Sequence, residues 1–177
     1  MLCYNLTDSY KQGYTHSPKI MERYNYIMRP TAEQVIQIVN LAHEKDEPPN
    51  LQQHDLSAYG FYRADLHGTD FTEANLTGAN LGKAKLNGAN FFQAKLSGAD
   101  LGQADLSQAN LRQADLFQVS FREANLQGAD LRDANLDETN FIDADLSGAD
   151  LRGARYTSYT KWSITFNPVK AGAVRRR

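Results

Sequence analysis

Four histidines, one cysteine and twenty-one carboxylates are the side chains of this 177-residue chain that could ligate a metal or move a proton. Metal sites commonly draw on histidines four apart on one helix face, or on close cysteine pairs. His16, His43, His54 and His67 show no such spacing, and Cys3 has no partner thiol. Acids come in pairs such as Asp143 and Asp145, but at a place that recurs along the chain, which marks them as solvated surface groups. There is no glycine-rich phosphate loop and no nucleophile elbow. The sequence predicts no catalytic residue, no metal, no cofactor and a protein that is not an enzyme. What remains is recognition chemistry, carried by arginines and aromatic side chains.

The element that must position those side chains is visible in the spacing of the apolar residues. Twenty consecutive pentapeptides carry Leu or Phe at their centre, here called position i, from Leu56 and Phe61 to Leu146 and Leu151. A period of five matches neither a helix nor a strand, so the chain must turn once per repeat and build a solenoid of short, bent edges. Alanine stands at i−2 in fifteen of the eighteen repeats centred on 66 to 151, and i−1 is mostly Asp or Asn. A large and a small inward residue fill a narrow interior without voids, while i−1 and i+1 point outward.

A finer period of ten lies on top. Phe61, Phe71, Phe91, Phe121 and Phe141 all fall on centres ending in one; Gly68, Gly78, Gly88, Gly98, Gly128 and Gly148 all follow centres ending in six. Glycine predicts corners with positive φ, and the alternate corners at Glu73, Lys83, Gln103 and Asp133 are expected to use a different turn. Such alternation stays in register only with an even number of edges per coil. Four edges and twenty residues give five coils, a column roughly 24 Å tall at the usual strand spacing.

Wrapped on that coil, the i+1 positions of one face align Thr72, Phe92, Arg112, Arg132 and Arg152, with Asp130 and Asp150 beside them at i−1. This column reads either as a self-neutralised charge ladder or as a docking stripe for an acidic protein, anchored by an exposed Phe92. Phe117 and Ile142, also at i+1, are further apolar candidates for the interaction surface.

Both ends of a solenoid expose unpaired edges and must be covered. Residues 1–50 form an N-terminal segment containing a helix over 32–45, with Thr31 as N-cap, Gln34 completing a capping box, and Pro48 and Pro49 beyond its end. Its Val35, Ile38, Val39 and Leu41 side is expected to lie over Leu56 and Phe61. Residues 51–155 are the repeat, and 156–177 an aromatic and basic tail. Tyr156, Tyr159, Trp162 and Phe166 offer either a lid or a homodimer interface, so the chain is a monomer or a dimer through this end. No apolar run reaches the length of a membrane span, and Met1 to Arg29 is too polar for a secretory signal, which predicts a cytoplasmic protein.

Repeats such as Ala74-Asn75-Leu76-Thr77-Gly78 and Ala144-Asp145-Leu146-Ser147-Gly148 resemble the pentapeptide-repeat protein family, whose pattern is A(D/N)LXX. The resemblance implies an all-β solenoid, a right-handed quadrilateral β-helix. Thr160, Lys161, Trp162, Phe166, Pro168 and Ala171-Gly172-Ala173 are similar to the C-terminal segments of cyanobacterial members. The sequence departs from the pattern at His54, Tyr59, Lys85, Lys95 and Val119-Ser120. The family implies a non-enzymatic interaction module with a protein partner that the sequence does not name. Its alternative is DNA mimicry and binding to a type II topoisomerase such as gyrase. Mimicry needs dense negative charge along a rod. Residues 56–155 carry nine basic and fourteen acidic side chains, with Lys83, Lys85, Lys95 and the arginines interrupting any acidic face. Nucleic-acid binding is argued against by the same acidic body, with Arg175, Arg176 and Arg177 the only basic cluster.

Overall fold

The computed structural model describes residues 31–176, so the tyrosine-rich start, Cys3, His16 and Arg177 lie outside it. From Ala32 onward the described residues form one unit. Helix α1 spans Ala32–Glu44, and two short strands, β1 (Arg155–Tyr156) and β2 (Val174–Arg175), pair in parallel. Between α1 and β1 the backbone repeats without longer strands.

Helix α1 has the sequence signals of a one-sided helix. Val35 and Val39, one turn apart, are fully buried in the core, while Ile36 packs against it. Leu41, expected on that side, is exposed, because it lies roughly 200° around the helix from Val39 at 100° per residue. The helix closes with a Schellman motif: Glu47 N–H donates to the Ala42 carbonyl (3.0 Å) and Asp46 N–H to that of His43 (3.1 Å), with Asp46 left-handed at φ 57°.

In the repeat, each i−1 residue bridges in parallel to the residue twenty further on, from Asn50↔Asp70 to Asn135↔Arg155. The predicted twenty-residue coil is therefore the spacing observed. Three backbone bonds per edge hold one coil to the next. At the edge of Leu76, the Leu76 N–H donates to the Lys95 carbonyl (2.7 Å), the Gly78 N–H to that of Ser97 (2.9 Å), and the Lys95 N–H donates back to the Ala74 carbonyl (2.9 Å). A fourth, Ala79 N–H to the Leu76 carbonyl (3.0 Å), closes the corner. The centres are fully buried, with i−2 alanines beside them, and the sequence of inward residues begins one edge earlier than the pattern suggested, at Leu51. Phe71 stacks on Phe91 at 4.9 Å and Phe121 on Phe141 at 5.2 Å, almost parallel, because twenty residues separate the members of each pair.

The i−1 residue has a specific task. The i+1 N–H has no place in the ladder, and the Asp or Asn side chain two residues before accepts it, as Asn75 does from Thr77 (3.2 Å) and Asp100 from Gly102 (2.9 Å). Asn also donates to the residue twenty before it, as Asn125 does to Asp105 (3.0 Å).

The corners differ from the expectation. Every i+2 residue in the array is left-handed, glycine or not: Glu73, Lys83, Gln103 and Asp133 have φ between 58° and 60°, beside 63° at Gly68 and 65° at Gly78. There is no second turn for the alternate corners: from Gln53 to Asp133 the i+2 N–H reaches the equivalent carbonyl of the next coil, as Glu73 N–H does at Phe92 (2.9 Å). Side-chain bonds between coils offset part of the cost at non-glycine corners. Gln53 donates to Glu73, Gln93 to Gln113, Gln103 to Glu123 and Gln118 to Glu138, at 2.7 to 3.0 Å.

Beyond β1 the ladder slips by one residue: Asn140 bridges to Lys161, twenty-one residues on. Thr160 stays buried and its hydroxyl donates to the Leu136 carbonyl (2.8 Å), repeating the bond from Thr139 to Leu116 (2.8 Å). Among the described residues, no helix is long and apolar enough to cross a membrane.

Candidate interaction surface

Because i+1 side chains stand on the outside of a twenty-residue coil, the bridges assign each to a face. Thr72, Phe92, Arg112, Arg132 and Arg152 follow bridged residues Asp70, Asn90, Asn110, Asp130 and Asp150, and so share one face. Phe117 follows Asp115 and Ile142 follows Asn140; these belong to two other faces and do not join the arginine column. Phe92, Phe117 and Ile142 are half-buried rather than free-standing.

Within the column, arginine and aspartate alternate in space. Arg132 forms two hydrogen bonds to Asp130, Nε to Oδ1 at 2.8 Å and Nη2 to Oδ2 at 2.5 Å. It also lies 3.6 Å from Asp150. Arg152 binds Asp150 at 2.6 Å through Nη2 and remains 71% exposed. Arg112 is the weakest member: its Nε is buried without a hydrogen bond, 4.0 Å from Asp130. The hydrogen bond from Arg132 holds the Asp130 carboxyl below its usual range against the opposing effect of burial, and Arg152 does the same for Asp150. Aspartate thus has two jobs, capping the i+1 N–H and fixing the guanidinium two residues on.

The tail aromatics divide. Trp162 stacks on Phe141 (4.9 Å, 8° between planes), Phe166 stacks on Trp162 (5.3 Å), and Tyr156 meets Trp162 edge-on at 5.5 Å. Trp162 and Phe166 pack against the core, and Tyr156 is buried in it. Tyr159 does not join them; it is 71% exposed.

A third grouping escaped the sequence reading. His43 in the last turn of α1 stacks on His67 (4.0 Å between centroids), and its Nε2 lies 3.0 Å from the His67 carbonyl oxygen. His67 Nδ1 is 2.7 Å from Asp65 Oδ1, and Lys85 Nζ donates to Asp65 Oδ2 at 3.1 Å. Burial alone would raise the Asp65 pKa, but the hydrogen bonds from His67 and Lys85 outweigh it and lower it to about 2. Twenty-four residues of chain separate the two histidines, so no local spacing motif could flag them; only the seating of α1 brings them together.

The family model "Pentapeptide repeats" matches residues 61–91, 84–122, 94–133 and 120–155, with eight copies, and the chain belongs to that family, whose members fold as right-handed quadrilateral β-helices. Among solved structures, the chain is similar to the pentapeptide repeat protein Rfr23 of the cyanobacterium Cyanothece 51142, at 26% identity and a TM-score of 0.56, over 71% of this chain and 97% of that one. It is also similar to alr5209, a pentapeptide repeat protein of Nostoc PCC 7120, at 29% identity and TM-score 0.42, over 82% and 96%. QnrB1, a plasmid-mediated fluoroquinolone resistance protein, matches at 16% identity and TM-score 0.41, over 72% and 82%. No curated protein matches by sequence.

Proposed function

We propose that this chain is a non-enzymatic protein-interaction scaffold of the cytoplasm. Residues 1–50 supply a capping helix, 51–155 a column of five coils, and 156–177 an aromatic lid and basic tail. The face carrying Phe92, Arg112, Arg132 and Arg152 is the docking stripe for an acidic protein partner. Phe117 and Ile142 lie on other faces and serve as secondary contacts.

The observation that carries the reading is the preorganisation of the arginine column. Asp130 and Asp150 fix Arg132 and Arg152 in place, while Arg152 stays 71% exposed. A fixed guanidinium loses little side-chain freedom when a partner's carboxylate arrives, and Arg is suited to such two-pronged contacts. Half-buried Phe92 in the same column supplies apolar contact area. The stack of Trp162 and Phe166 on Phe141 favours a lid over a dimer interface, because those rings are already engaged within one chain. DNA mimicry at gyrase receives less support, since Asp130 and Asp150 on this face are occupied by arginines.

Affinity purification from the native source with wild-type protein and with the Arg112, Arg132, Arg152→Ala variant tests the stripe. A partner retained by the first and lost by the second is expected; equal recovery refutes it. Light scattering on wild type should give a monomer, and inhibition of gyrase supercoiling by the purified protein would revive the mimicry reading.

A further inference from the structure

We propose that His43, Asp65 and His67 form a binding site for one transition-metal ion of the zinc type, which would fasten helix α1 to the first edges of the repeat. Each of the three offers one ligand atom, and these atoms lie within 4.8 Å of one another. Two imidazoles and a carboxylate are a donor set that Zn²⁺ accepts, with water filling the fourth position. Bonds of about 2.0–2.2 Å to zinc place tetrahedral ligand atoms roughly 3.3–3.6 Å apart, a spacing between the 2.7 Å of His67 Nδ1 to Asp65 Oδ1 and the 4.8 Å within which all three atoms lie.

The details favour an ion over a plain hydrogen-bonded trio. His67 Nδ1 and Asp65 Oδ1 already face one another at 2.7 Å, in a hydrogen bond whose proton a metal cation would replace. Lys85 occupies Asp65 Oδ2 at 3.1 Å, which fixes the carboxylate and leaves Oδ1 for the ion. His43 Nε2, spent on a carbonyl 3.0 Å away, needs only to lose that contact to reach the same point. Asp65 and His67 have side chains 40% and 49% exposed, so an ion can enter from solvent. His67 is the only histidine at i+1, and it stands under the last turn of α1, where His43 is the only histidine of the helix. The Lys85 ammonium repels the ion, which argues for moderate affinity.

The proposal does not depend on the docking stripe, which lies on another face. Calorimetric titration of untagged full-length protein with Zn²⁺ at neutral pH should show one saturable site, and Co²⁺ should give tetrahedral visible bands. A hundredfold excess over the dissociation constant should raise the melting temperature by about 5–10 °C, reversed by EDTA. His43→Gln, His67→Gln and Asp65→Asn should each weaken binding tenfold or more while remaining folded in EDTA, with melting temperatures only slightly below wild type; His54→Gln should bind as wild type. Absence of saturable binding, or undiminished binding by His67→Gln, overturns the site. Full affinity in His43→Gln overturns the link to α1.

Discussion

The two ends of the repeat are finished by different physics. At the N-terminal end a foreign element, α1, lays Val35 and Val39 on a core it does not continue, since a 3.6-residue period cannot extend a five-residue one. At the C-terminal end the chain goes on with the ladder, slips one residue between Asn140 and Lys161, and puts Trp162 where the next Phe would stand. Side-chain contacts such as His43 on His67 supply what register cannot at the first end. At the second, the stack of Phe121 and Phe141 continues through Trp162 and Phe166.

The largest test of that contrast is the stack. Phe141→Ala empties a fully buried position and removes two ring contacts, so it should cost about 3–5 kcal/mol, and Trp162→Ala about 2–3 kcal/mol because Trp162 is partly exposed. Val39→Ala removes two methyl groups' worth of burial and should cost about 1–2 kcal/mol. Urea denaturation of the three variants compares them directly. A Val39→Ala cost equal to that of Phe141→Ala would mean that the helix, rather than the stack, dominates.

Corners should not distinguish the ends. Gly68 and Gly148 both have positive φ (63° and 71°), and nothing crowds the space a Cβ would take at Gly68, while at Gly148 it would make ordinary contact at 3.9 Å with Gly128. Gly68→Ala and Gly148→Ala should each cost about 1 kcal/mol, all of it backbone conformation. Melting temperatures that fall by clearly different amounts would show that the two end coils differ in more than their covers.

Much of the interior was legible in the sequence because the repeat fixes it: Leu76 or Phe91 has one place to go once the period is five. The left-handed corners at Lys83 and Gln118 were not legible, because residue preference pointed to glycine alone, whereas the ladder bond of the i+2 N–H leaves no alternative. The slip at Lys161 was hidden because the tail lacks the Leu/Phe period, though Trp162 itself was marked. The arginine column followed from coil arithmetic, but its closure by Asp130 and Asp150 depends on rotamers. The separation of Phe117 and Ile142 from that column could have been read from the same arithmetic, since residues on one face differ by twenty. His43 and His67 met only through tertiary packing of α1.

Acid gives the smallest and sharpest comparison. At the N-terminal end Asp65 is held to about 2 by His67 and Lys85, with burial opposing. Toward the C-terminal end Asp130 and Asp150 are lowered by Arg132 and Arg152. All three have folded-state pKa values below the unfolded one near 3.8, so their stabilisation is complete above that value and is lost as pH falls through the folded values. Stability should therefore decline between about pH 4 and pH 2. The Asp65 and Lys85 side chains are 40% and 67% exposed, so solvent screens the pair and its share is about 0.5 kcal/mol. Melting of Asp65→Asn should start lower than wild type at pH 7 and change less on acidification, and 1 M salt should narrow the gap because an exposed ion pair is screened. Asp150→Asn should behave alike but also loosen Arg132 and Arg152, which both lean on that carboxylate. An Asp65→Asn variant with the wild-type acid profile would show that the N-terminal carboxylate contributes nothing to holding its end, leaving α1 seated by Val35, Ile36 and Val39 and by the stack of His43 on His67.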